Sequence, residues 1–89
     1  MPNVFVPYIS EDDYPAFRDI LGFQIPRARE DWLESQWAKI SAIYLIGRSA
    51  AEIIVSPSEF AEHLRERNAP PDLQELDNFV FEKATRVLQ

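Results

Sequence analysis

Cysteine is absent from this chain, which rules out disulfide staples, thiolate nucleophiles and cysteine-based zinc sites. Its only glycines, Gly22 and Gly47, lie too far apart to form a phosphate-cradling loop. The single histidine, His63, leaves no material for a histidine metal cluster and little for a Ser-His-Asp relay. No cofactor or metal is therefore expected. The most apolar run, 40–46, is far shorter than the ~20 residues a bilayer-spanning helix needs. The opening MPNVFVPYISEDD lacks the basic region and long apolar stretch of a secretory leader. The expectation is a soluble cytoplasmic protein with no membrane association.

Positive charge is also scarce. Nine Lys and Arg face fifteen Asp and Glu, giving a net charge of −6. A surface of that sign stays soluble and repels phosphate backbones and anionic lipid. It suits a basic or a neutral apolar partner, and it argues against nucleic acid.

Aromatic residues, by contrast, are plentiful: six Phe, three Tyr and two Trp in 89 residues. That length allows one domain over 1–89, burying somewhat over ~60% of its unfolded surface. Most of the aromatics belong in that core, and so small a chain is hard pressed to bury all eleven.

The pattern predicts an α+β, predominantly helical domain with about four helices and one or two short strands. Val4–Ile9 alternates, and Pro7, lacking an N–H, confines this strand to a sheet edge. Asp12 or Asp13 starts a helix that keeps Pro15 in its first turn and runs to Leu21. Gly22 then supplies the left-handed residue after it. A long helix begins between Pro26 and Glu30, with Trp32, Leu33, Trp37, Ile40 and Tyr44 on one broad core-facing side, and Gly47 stops it. In AEIIV, Ala50 to Glu52 are good helix formers, whereas Ile53, Ile54 and Val55 prefer a strand. Flanking Gly47 and the cap that follows decide for a strand at 51–55. Ser56-Pro57-Ser58-Glu59 is a strong helix start, with Ser56 as cap and Pro57 in the first helical position. Asn68 and Pro70-Pro71 end that helix, and Asp72 caps the last one. The last helix carries a core stripe of Leu73, Leu76, Val80, Ala84 and Val87.

Few residues offer chemistry. His63, between Glu59 and Arg67 on a helix, reads as a surface histidine in a charge lattice. Glu62 and Glu66 are like charges four apart, read as a solvated face with an acidic docking patch as the functional alternative. The final helix pair resembles a helix-turn-helix in outline, but its second helix is acidic and unsuited to DNA. A small enzyme would need paired carboxylates in a cleft, for which no motif speaks. Phe79 lies off the stripe of its helix. It either packs under the N-terminal segment or anchors an interface.

A strand cannot satisfy its own backbone, so 51–55 needs a partner. Val4–Ile9 or another chain can supply it. The leading expectation is a non-catalytic interaction module that homodimerises or docks a protein partner through its strand and nearby aromatics. Its candidate interface residues are Ile53, Ile54, Val55 and Phe79, with Glu62 and Glu66 for an acidic patch. The alternative is a small acidic inhibitor or antitoxin-like protein that neutralises a basic partner.

Overall fold

The computed structural model describes residues 4–88, with side chains described as far as Arg86. It is a predominantly helical α+β fold: four helices and a two-stranded parallel sheet. The order is β1 (Val4–Tyr8), α1 (Tyr14–Leu21), α2 (Arg29–Leu45), β2 (Ala50–Ile54), α3 (Pro57–Arg67) and α4 (Leu73–Leu88), with a 3-10 turn at Gly22–Gln24. Val87 of the expected α4 stripe falls outside the described side chains.

Local signals set most boundaries. Ser10 Oγ accepts from Asp13 N–H at 3.2 Å, and Pro15 sits in the first turn of α1, where its missing N–H costs nothing. Gly22 follows at φ 62°, a region costly for other residues. Helix α2 ends where Gly47 N–H reaches Tyr44 O and Arg48 N–H reaches Ile43 O. Ser56 Oγ accepts from Glu59 N–H at 3.3 Å, and its hydroxyl lies 3.1 Å from Glu59 Oε1 as donor. Asn68 closes α3 in the left-handed conformation, and Asp72 Oδ1 accepts from Glu75 N–H at 2.9 Å to start α4.

The strands pair in parallel, Val4 opposite Ala50 through Tyr8 opposite Ile54. Parallel neighbours need a long crossover, and α1 with α2 provides it. Val4–Ile9 is thus the partner that the second strand required.

The main core joins Ile9, Tyr14, Phe17, Leu21, Ile25, Trp32, Val55, Phe60, Leu76, Phe79 and Val80. Ring packing is continuous through it: Phe60 lies 5.9 Å from both Phe17 and Phe79. Tyr14 donates its hydroxyl to Pro26 O at 2.6 Å. Burial, partly offset by nearby Arg18, pushes its phenol above the usual range.

Helix α2 sits turned from the orientation its apolar pattern suggests, and α4 buries its expected stripe of Leu76, Val80 and Ala84 together with one further residue. On α2 the buried residues are Trp32 and Ile43, while Trp37 and Tyr44 are 67% and 57% exposed. At ~100° per residue, Trp37 and Tyr44 lie roughly 120–140° round from Trp32, on the flank of a buried face that centres near Trp32 and Ile43. On α4, Leu73 is half exposed and Phe79 is buried. That helix packs against both β1 and α3, which widens its covered arc toward Phe79.

Candidate interaction surface

The sheet has two outer edges, and the sequence treats them differently. Val4 N–H donates to Ser49 O at 3.0 Å and Val55 N–H to Tyr8 O at 3.1 Å. A strand residue points its N–H and C=O to the same side. The even residues of β1 therefore face β2, while Phe5 and Pro7 face outward. Pro7 stands where no donor is needed, and its carbonyl accepts from Gln36 Nε2 at 3.2 Å. Arg29 Nε reaches Ile9 O at 3.0 Å, and its guanidinium lies 5.7 Å from the Tyr8 ring centre. Side chains of α2 thus cover the Pro7–Ile9 half of the β1 edge, while the outward N–H and C=O of Phe5 make no hydrogen bond among the described residues.

On β2, the same alternation turns Ala51 and Ile53 toward β1 and leaves Ala50, Glu52 and Ile54 pointing outward. Among the described residues, the only hydrogen bond on this edge is from Lys83 Nζ to Ile54 O, at 2.8 Å. The N–H and C=O of Glu52 and the N–H of Ile54 make no hydrogen bond among the described residues. The side chains of Glu52 and Ile54 are exposed on the α2 side of the sheet, Ile54 at 69%. Trp37 and Glu52 line one shallow groove with Tyr8, Leu33, Gln36 and Ile40. Tyr44, two turns beyond Trp37, continues the aromatic flank of α2. An open strand edge and the exposed Trp37 ring therefore lie side by side.

The candidate residues divide accordingly. Ile54 lies on the open edge, and Ile53 is half-buried against the core. Val55 is fully buried, so it anchors the strand end and offers no surface. Phe79 is turned inward at 2% exposure, against Phe60 and His63. Glu62 and Glu66 lie elsewhere, in a groove between α3 and α4 that shares no residue with the first. There Arg65 pairs with Glu62 at 2.8 Å, Arg67 with Glu82, and Lys83 with Glu59 at 2.7 Å. Most of that groove's acid is answered from within the chain.

His63 departs most from expectation: it is buried, 6% exposed, with Nε2 2.9 Å from Glu75 Oε2. Its ring packs beside both Phe60 and Phe79, 6.3 and 5.3 Å away. Reading along α3 alone finds Glu59 and Arg67, whereas the real partner stands on α4, brought across by the tight Ala69-Pro70-Pro71 connection. The hydrogen bonds from His63 and Asn78 hold the Glu75 carboxyl below the ordinary glutamate range. This pair clamps α3 to α4. Among the described residues no group of three ligand-type side chains could hold a metal. No helix there is long and apolar enough to cross a membrane.

The strongest sequence sign of the open edge was the consecutive apolar run AEIIV, interrupted on the outward face only by Glu52. The aromatic row was hidden, because Trp37 and Tyr44 have helical spacing that a buried stripe would also have. Comparison with family models, curated proteins and solved structures gives no match.

Proposed function

We propose that this protein is a non-catalytic interaction module. It takes up another polypeptide chain along the outer edge of β2, with Trp37 and Tyr44 of α2 contacting the incoming side chains. The observation that carries this reading is the contrast between the two sheet edges. The β1 edge carries a proline and is covered over Pro7–Ile9 by glutamine and arginine, whereas the β2 edge leaves the backbone of Glu52 and the Ile54 N–H without a hydrogen-bond partner among the described residues, beside exposed aromatics. Proteins normally blunt a free edge, because it templates pairing with any extended chain. Strand addition draws affinity from the main chain and specificity from alternate side chains. A three-residue edge suits a transient contact more than an obligate one. The cysteine-free composition fits a role in the reducing cytoplasm.

Panning a displayed library of short random peptides tests this. Enriched peptides should bind the native chain and lose binding to Ile54→Pro, which deletes one outward N–H and no hydrogen bond to β1, and to Trp37→Ser. Both variants should keep the native circular dichroism. Failure to enrich any peptide, or equal binding by both variants, would refute the proposal.

A further inference from the structure

The occupant of the β2 edge can be narrowed by its charge. Resting on the edge reading above, we infer that the edge accepts a foreign extended segment with an arginine or lysine opposite Glu52, and that Glu52 turns away a second copy of this chain.

Glu52 is the central outward residue of β2, with Ala50 and Ile54 on either side. It is exposed and enters no ion pair among the described residues, whereas Glu59, Glu62, Glu75 and Glu82 each have a basic partner within the chain. Trp37, 67% exposed, lines the same groove. A residue directly opposite Glu52 in an added strand would place its Cβ about 5 Å from that of Glu52, on the Trp37 side. A guanidinium there meets a carboxylate and an aromatic face together, and both attract a cation.

Self-pairing meets the opposite situation. When two β2 edges join antiparallel about a two-fold axis, the register that uses all three outward residues sets Ala50 against the other copy's Ile54 and Glu52 against Glu52. Like charges directly opposed are destabilising. Slipping the register by one outward residue relieves the clash but leaves only two of the three outward residues paired. The net charge of −6 on each copy adds a longer-range repulsion. A charged residue in mid-edge is a recognised guard against self-association.

Short alternating Val/Thr peptides with Arg, Thr or Glu at the centre, titrated into the full chain and followed by amide NMR shifts, test this. The Arg peptide should bind about 3- to 30-fold more tightly than the Glu peptide, with Thr between them. Glu52→Arg should reverse that order. Glu52→Thr should abolish the preference and raise self-association in sedimentation, with the native chain monomeric at the same concentration. Binding that ignores the central charge, or a native chain that dimerises through β2, overturns this inference while leaving the edge reading intact. No shift of β2 amides with any peptide overturns both.

Discussion

The inward turn of Phe79 and the outward turn of Trp37 give the sharpest test of the packing. Phe79 is 2% exposed and touches the rings of Phe60 and His63. Phe79→Ala removes a fully buried ring and leaves a void, at a cost of about 3–5 kcal/mol. Trp37 keeps a third of its surface covered. A third of ~250 Å², at ~25 cal/mol per Å², sets an upper bound of about 2 kcal/mol for Trp37→Ala. A chain of this size has a total stability on the order of 5–10 kcal/mol, so Phe79→Ala should bring it close to unfolding, and Trp37→Ala should not. Urea titrations followed by circular dichroism, compared at constant slope, would measure the difference. Phe79→Leu gives an intermediate point if the alanine variant does not fold. Tryptophan emission adds an independent check: Trp37→Phe should leave the blue-shifted signal of buried Trp32 alone. If Trp37→Ala costs as much as Phe79→Ala, or the Trp37→Phe spectrum is that of a water-exposed indole, the helix orientations argued above are wrong.

Stability should also fall in acid. Glu59, held by Lys83, and Glu75, held by His63, both have carboxyls below the ordinary glutamate value of 4.5. Their contribution is complete above that value and is lost as pH drops through the lowered folded values, because the unfolded chain then binds more protons. Urea midpoints should decline below about pH 4.5, less steeply in Glu75→Gln than in the native chain. Lys83→Met unties β2 from α3 by removing the bonds to Ile54 O and Glu59 Oε1. It should cost about 1 kcal/mol, since these bonds are partly exposed, and should speed exchange of the Val55 amide, which is bonded to Tyr8 O. Asn68→Ala should cost about 1 kcal/mol in thermal unfolding because Asn68 is at φ 52°, while Asn68→Gly should cost nothing or stabilise.

What could be read from the sequence was whatever is decided within a few residues. Ser56, Pro57, Asn68, Asp72, Gly22 and Gly47 each act through their own turn, and each stands at the helix boundary its chemistry implies. The pairing of Val4–Ile9 with AEIIV was legible for a different reason: no other segment of the chain could satisfy that strand. The rotation of α2 and the wider covered arc of α4 were not legible. Apolar residues lie around more than half of each helix, and the choice between equally greasy faces is settled by the neighbouring elements. His63 was misread because its partner, Glu75, is twelve residues away on the facing helix. The open edge came between these cases. Pro7 announced that β1 must lie at an edge, but only the register told which backbone groups of β2 remain free.

That register also has a consequence in time. Val4 pairs with Ala50, so β1 leaves the ribosome while its partner is still unmade. At ~5–20 residues per second, the first strand waits roughly 2–10 s before the second emerges. Throughout that interval it is an extended apolar segment with both edges bare, a natural target for chaperones or for neighbouring nascent chains. Pro7 then acts before it has any role in the finished fold. By breaking the row of donors, it makes the waiting strand a poor template for improper pairing.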